Sequence, residues 1–347
     1  MTTPGRADVA IERGNDPNTF RELDELAAAV PGCSPFQTGL LAHVYKSAPD
    51  AEPIALLARN RQGSAIGGML AVSFTHGPLP RSLARRLTSH CTVRGTPPAA
   101  SPEVGVAIGS RLFSELQSRV TDRSMYIRYY ADRESPLTAE LQSTGFGRED
   151  WLNFLVDLRQ PEASLLEKMS KHRRKGIRLA EKAGVEVSEM ASRAEVDSAY
   201  RIMADTHRRL KVPFQSIELF HAAYEWLFPR GRVMFLSARR GDRTVAVRIV
   251  LIHDGIAYDW YSGSAPDAGD VHAEEGLVWA AMLQAKEGGA TCFDFGGAGM
   301  PTEEYGPREF KRRFGGTLTD FGRFTKVLRP ARLRIAVKAG RKLRRIP

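Results

Sequence analysis

Apolar positions along the chain follow two periods. Pro53 to Arg59 and Gly68 to Phe74 are short apolar runs separated by the polar turn Arg61-Gln62-Gly63-Ser64, a pattern that predicts a β-hairpin. Ile108, Leu112, Phe113, Leu116 and Val120 then recur at helical spacing, and an extended run from Met125 to Ala131 follows. Ser135-Pro136 opens a short helix that Gly145 ends, and Trp151 to Leu158 reads as a strand.

The second half repeats this order. Ser164 is placed to cap a basic helix ending at Gly184, and Val196, Ala199, Tyr200, Met203, His207 and Leu210 share one face of the next helix. Strands follow at Arg232–Ala238, Thr244–His253 and Ile256–Gly263, joined by the turns Arg240-Gly241-Asp242-Arg243 and Asp254-Gly255. A helix from Glu274 to Glu287, closed by Gly288-Gly289, leads to a last strand at Cys292–Phe295. Hairpin, helix, strand, helix, strand thus occurs twice, which predicts two similar α/β domains over 1–158 and 159–327 and leaves a tail at 328–347.

Composition sharpens this picture in one place. The 347 residues are 42% hydrophobic and 26% charged, ordinary for a globular chain of about two domains. The net charge of +10 comes from 50 Lys and Arg against 40 acids, but eight of those bases and no acid lie in 329–347. The body, 1–328, therefore holds 42 bases and 40 acids and is nearly neutral. Leu333, Ala336, Val337, Leu343 and Ile346 sit among the tail charges, so the tail is expected to lie on an anionic bilayer, to grip tRNA phosphate, or to fray into solvent. A second basic run, Lys168 to Lys182, has seven bases and one acid.

Three cysteines, Cys33, Cys91 and Cys292, have no zinc-like spacing and fit a reducing compartment. Met1 to Asn18 carries acids and prolines where a signal peptide needs a basic segment and an apolar run. The best membrane candidate, Val245 to Ile252, is far shorter than the ~18 residues of a span and is interrupted by Arg248. The expected location is cytoplasmic, with peripheral contact at the inner membrane face through 329–347 as one of the alternatives open for the tail.

The chain carries no G-x-x-x-x-G-K-[ST] phosphate loop, no H-E-x-x-H and no G-x-S-x-G elbow, and its eight histidines are scattered singly. Kinase, zinc hydrolase and serine hydrolase chemistry drop out, and no metal is expected. The informative region runs from Ala257 to Phe324. It holds Tyr258-Asp259-Trp260-Tyr261-Ser262-Gly263-Ser264, then Phe293-Asp294-Phe295-Gly296-Gly297, then Glu309-Phe310-Lys311-Arg312-Arg313-Phe314-Gly315-Gly316. A glycine cluster directly after a strand lets backbone approach a ligand closely.

F-D-F-G-G followed by F-K-x-x-F-G-G, with Y-D-W-Y-S-G-S and the basic segment Met169 to Lys182 upstream, resembles the FemABX peptidyltransferase-like group of the GNAT acyltransferase superfamily. The likeness is good over 150–327 and rests on element order over 20–150. It implies two tandem GNAT-like domains, each a mixed twisted sheet flanked by helices. It implies N-acyl transfer, in which a primary amine of a cell-wall (peptidoglycan) precursor or related small-molecule or lipid-linked acceptor attacks an activated acyl group. The implied donor is an acyl group on tRNA or another carrier, aminoacyl-tRNA or acyl-CoA, used as a co-substrate with no tightly bound cofactor.

Lys311 occupies the position of the group's functional lysine, with Phe310 beside it, and the resemblance assigns it to the oxyanion or the donor carbonyl. By residue type alone, Lys311 is one charge on a basic helix face. Arg209 matches an arginine that contacts the acceptor's phosphate or carboxylate, next to Lys211 where relatives often carry glycine. Tyr258 and Tyr261 line an acceptor groove or pack across strands, and Gly296 and Gly297 border the site. Asp294 orients Lys311 or takes the amine's proton, or else holds the Gly296-Gly297 turn. Between Gly184 and Arg232 there is room for two ordinary helices, without the long helical hairpin of some members.

The superfamily's Q/R-x-x-G-x-G/A coenzyme A loop is absent from Ser101–Ser110 and from Asp267–Gly276, and Arg173–Arg178 fits it only in part. An acyl-CoA-dependent N-acyltransferase of polysaccharide or natural-product assembly is the second reading. A non-catalytic module binding membrane or nucleic acid is the third.

Overall fold

The structure, a computed structural model, describes residues 9–75 and 89–344. The chain forms two compact units, one running to Asp150 and resuming at Phe321, the other spanning Trp151–Asp320. The sheet of the first unit contains β1 (Ala10–Gly14), β2 (Ala51–Arg59), β3 (Ala65–Phe74), β4 (His90–Arg94), β5 (Tyr126–Tyr130), β6 (Gly147–Glu149) and β14 (Arg323–Val327). Their order is β1-β2-β3-β4-β5-β14-β6, antiparallel except for the β4/β5 pair.

The second unit contains β7 (Leu152–Asp157), β8 (Val185–Glu189), β9 (Val233–Arg240), β10 (Arg243–His253), β11 (Ile256–Ser264), β12 (Cys292–Gly297) and β13 (Thr317–Asp320). The order β8-β9-β10-β11-β12-β7-β13 repeats the first sheet strand for strand, and again only the fourth and fifth strands, β11 and β12, run parallel. The repeat expected from the sequence is therefore present, but its borders move. β7, assigned by pattern to the first domain, pairs with β12 and β13; β14, assigned to the second, pairs with β5 and β6. Each sheet takes its sixth strand from the other half of the chain. The borders expected at 158 and 327 become 150 and 320, because a strand belongs where its ladder is satisfied, whatever its place in the sequence.

In the first unit, α1 (Pro17–Ala28) starts at Asp16, whose carboxylate accepts from Asn18 N (3.0 Å) and Thr19 N (3.1 Å). α2 (Gly39–Ser47), α3 (Pro102–Val120) and α4 (Thr138–Ser143) follow, and α11 (Pro330–Arg344) closes the chain. The stripe Ile108, Leu112, Phe113, Leu116 and Val120 of α3 is buried against Ile54, Leu56, Met69 and Ile127. In α11, Ile335 and Val337 are exposed among the basic residues.

The single basic helix expected from Ser164 to Gly184 is two helices, α5 (Glu162–Lys168) and α6 (Lys171–Lys182). Met169 and Ser170 are extended (ψ 148° and 149°), and the cap is Ser170, whose hydroxyl accepts from Arg173 N, rather than Ser164. Arg174 closes the end of α5 by donating to the carbonyls of Leu166, Glu167 and Met169 at 3.2, 3.0 and 2.9 Å. α7 (Arg193–Leu210), begun by a Ser192/Glu195 capping box, and α8 (Ile217–Leu227) fill the interval in which two ordinary helices were expected. α9 (Ala273–Glu287) buries Leu277, Val278, Ala281, Met282 and Ala285 in the core of the second sheet. Among the described residues no helix is long and apolar enough to cross a membrane.

Candidate active site

The site begins where β11 and β12 part. Their parallel pairing is confined to Ile256–Tyr258 against Cys292–Asp294. Past that point β12 turns at Gly296, whose φ of +67° is the left-handed conformation glycine adopts at little cost. The Asp294 carboxylate holds the turn, accepting from Gly296 N and from Asn153 Nδ2, both at 2.7 Å. β11 bulges at Trp260, which is skipped between the pairs Ile249–Tyr261 and Val250–Asp259.

Beyond the pairing, the carbonyls at the end of β12 need donors, and Lys311 supplies them. Its Nζ donates to Phe295 O at 2.6 Å, Gly297 O at 2.8 Å and, more weakly, Gly296 O at 3.4 Å. Burial lowers the Lys311 pKa below the ordinary lysine value, with the Asp259 carboxylate acting in the opposite direction. Lys311 and Phe310 ride on α10 (Gly306–Arg312), a helix too short to hold itself.

Arg173 of α6 anchors α10. It is 2% exposed, with its guanidinium 4.1 Å from the Phe310 ring centroid and 4.4 Å from that of Phe314. It donates to Phe310 O at 3.1 Å and pairs with Glu275 of α9 at 2.8 Å. Burial is the main influence on its pKa and lowers it.

α10, β11, α9 and α7 wall a cavity of about 480 Å³ in the second unit. Arg248, 3% exposed on β10, pairs with Asp259 at 2.5 Å in its floor. Glu274 accepts the Ser264 hydroxyl, and Trp260, Tyr261, Phe295, Tyr305 and Phe310 add aromatic surface. Burial raises the Tyr305 pKa, so its phenol stays protonated at neutral pH.

α7 brings His207. It seats closely on β11 because residue 263 is glycine: a Cβ there would lie 2.6 Å from the Met203 Cα. The His207 ring stacks on Phe214 with centroids 4.2 Å apart, and Nδ1 lies 2.9 Å from Met203 O. A carbonyl only accepts, so Nδ1 carries the proton and the lone pair is on Nε2. Burial lowers the His207 pKa from 6.5, leaving a neutral imidazole at pH 7.

Of the residues singled out in the sequence, Lys311, Phe310 and Tyr261 line this cavity. Asp294, Gly296 and Gly297 lie beneath it as the turn and the carbonyls that hold Lys311. Tyr258 is 7% exposed in the core beside them and is not a lining residue. Arg209 lies outside the lining, donating to Ser264 O at 2.6 Å and Thr206 Oγ1 at 3.2 Å. Lys211 adopts the left-handed conformation (φ 54°) that a glycine would take at this helix end.

Arg248, Asp259, His207 and Glu274 were not singled out as site residues. The signal for the first two was available: an arginine inside an otherwise apolar strand, Val245 to Ile252, demands a buried partner, and Asp259 is the acid in the neighbouring strand. Among the described residues no group of three or more His, Cys, Asp or Glu side chains is placed to hold a metal ion.

Residues 167–312 match the family model described as an acetyltransferase (GNAT) domain. No curated protein matches the chain. Among solved structures, FemX superposes with a TM-score of 0.65 at 16% identity, covering 93% of this chain and 99% of that one. The C-terminal domain of a putative lysylphosphatidylglycerol synthetase from Agrobacterium fabrum gives 0.59 at 14% identity, with 94% and 96% coverage. A tandem GNAT protein from the clavulanic acid biosynthesis pathway gives 0.58 at 10%, with 93% and 100% coverage. At these identities the likeness is one of fold. The chain consists of two tandem GNAT-like α/β domains, and the domain matched over 167–312 is that of an acyltransferase.

Proposed function

We propose that this tandem-GNAT acyltransferase forms an amide bond between an aminoacyl group delivered on tRNA and a primary amine of a cell-wall precursor or related acceptor, in the cavity of the second unit. The observation that carries the reading is the convergence of a fixed cation, Lys311, a neutral imidazole, His207, and two carboxylates, Asp259 and Glu274, on one aromatic-walled cavity. In this scheme the acceptor amine gives a proton to His207 Nε2 as its nitrogen attacks the ester carbonyl. The oxyanion that forms is stabilised by the Lys311 ammonium, which the β12 carbonyls hold in place before the reaction begins. Collapse breaks the ester C–O bond, and His207 returns the proton to the departing ribose oxygen. In the same scheme Glu274, which lines the cavity near the Arg248–Asp259 pair, binds the ammonium of the aminoacyl group.

The matched family model supports a second reading, with acyl-CoA as donor. Electrostatics favours the first. α9, the helix that follows β11, opens with Glu274 and Glu275; Glu275 is paired with Arg173, and the Glu274 carboxylate at the helix start opposes a diphosphate there. The basic residues of α11 are proposed to contact tRNA phosphate. Incubating the chain with charged tRNA and candidate amines, in parallel with acetyl-CoA and the same amines, tests the choice. Amide formation from the tRNA ester without thiol release from coenzyme A is the expected result; thiol release with an inert ester would reverse the assignment.

A further inference from the structure

The first unit contains a second cavity, of about 470 Å³, between the start of α3 and the segment after β5. Its size falls within the roughly 300–1,000 Å³ of small-molecule sites. Val30, Pro98, Ala99, Gly105, Ile108 and Leu137 are among the residues that wall it.

The polar atoms around this cavity are largely spent within the protein. Pro97, Pro98 and Pro102 have no N–H. Gly95 N donates to Tyr130 O at 2.9 Å, Thr96 N to Asp132 Oδ1 at 3.0 Å, and Ala100 N to Ile66 O at 2.9 Å. In the first turn of α3, Val104 N donates to Ser101 Oγ at 3.3 Å and Gly105 N to Ser101 O at 2.9 Å. Glu103 adds a negative charge at that helix start, its carboxyl pKa lowered by the Ser101 hydroxyl. Arg133, the one charged lining residue, donates to Gly32 O and faces Asp132 at 3.5 Å. A phosphate would find few donors here and a carboxylate against it. Hydrocarbon meets no such penalty.

We propose that this cavity is a binding site for a straight hydrocarbon chain, the fatty-acyl part of a single-chain lipid. The inference stands apart from the reaction proposed for the second unit and holds whichever donor that unit uses. Ligand affinity should then follow chain length, with dissociation constants falling about fourfold per added methylene until the cavity is full.

Gly105 provides the blocking variant. A Cβ at this position meets only Ala99 Cβ, at 3.4 Å, so Gly105→Leu places the rest of its side chain in the cavity while improving helix propensity. The experiment titrates the full chain with straight-chain fatty acids from hexanoate to tetradecanoate, using displacement of a fluorescent fatty acid, with Gly105→Leu and Ser114→Leu in parallel. Ser114 is exposed on the same helix. Expected results are a chain-length-dependent Kd, at least tenfold weaker binding in a Gly105→Leu variant that melts no lower than the parent, unchanged binding in Ser114→Leu, and no displacement by coenzyme A. Affinity independent of chain length, unchanged binding in folded Gly105→Leu, equal losses in both variants, or displacement by coenzyme A would each overturn the proposal.

Discussion

Replacing Arg173 with methionine tests how the site is held. Methionine keeps much of the apolar stem but removes the cation, so Glu275, itself 14% exposed, loses its partner at 2.8 Å. Breaking one side of a buried ion pair costs about 3–5 kcal/mol. The lost bond to Phe310 O is of the charged-donor class, worth about 1.5–3 kcal/mol, and each ring contact contributes about 1 kcal/mol. These contributions overlap because one group makes all of them, so we expect a net destabilisation of about 3–5 kcal/mol rather than their sum. Glu275→Gln in the Arg173→Met background should recover part of it, since the uncompensated carboxylate is then gone.

Urea denaturation reads the stability of the variants, and transfer assays read the site. With α10 released, kcat is expected to fall more than KM rises, because the Phe310–Lys311 segment carries the group proposed to act on the transition state. A loss below about 1 kcal/mol, or full kcat in a destabilised Arg173→Met, would refute the anchoring argument.

Three further outcomes follow. His207 acts as a base only when neutral, and burial lowers its pKa, so kcat/KM should be flat above pH 6.5 in this limb and fall as pH drops through a value below 6.5; His207→Gln should remove that limb and lower the rate about 10²–10⁴-fold, and an unchanged profile would remove His207 from the chemistry. Lys211→Gly relieves a left-handed non-glycine residue and should stabilise the second unit by about 1 kcal/mol in thermal unfolding, whereas a loss would mean that the Lys211 side chain contributes more than its backbone costs. Truncation before Arg334 removes six Lys and Arg and should weaken tRNA binding and flatten its dependence on salt; an unchanged slope would place the phosphate contacts elsewhere.

Local pattern carried most of the architecture. The β2/β3 hairpin, the α3 stripe and the β9–β11 meander are set by period and turn residues, and the structure places each within a few residues of its predicted range. Two kinds of element escaped. β6, β8, β13 and β14 are short and largely polar, so their membership in a sheet depends on distant partners; the exchange of β7 and β14 follows from that pairing alone. The break at Met169-Ser170 was hidden because a basic, helix-favouring composition runs through it, and only the Ser170 cap and the Arg174 bonds reveal it.

The site was legible through its backbone and obscure in its side chains. Glycines after a strand and F-K on the next helix marked the splay and the lysine that caps it. Whether a charge is buried is decided by tertiary packing, so in the sequence Arg173 is one more member of a basic run although it is among the most deeply buried side chains described. Lys211 shows the reverse case. In the sequence it was only a departure from a frequent glycine, and the helix end puts it in the left-handed conformation a glycine would take.

The central claim is that Lys311, held by the carbonyls of β12, stabilises the transition state of acyl transfer from an aminoacyl ester to an amine. Single-turnover transfer of a labelled amino acid from charged tRNA to amine acceptors, measured for the parent chain and for Lys311→Met, tests it most directly. The account predicts amide formation by the parent and a loss of about 10²–10³-fold in the variant. A folded Lys311→Met that transfers within tenfold of the parent, or a parent chain that leaves the ester intact apart from background hydrolysis, would contradict it.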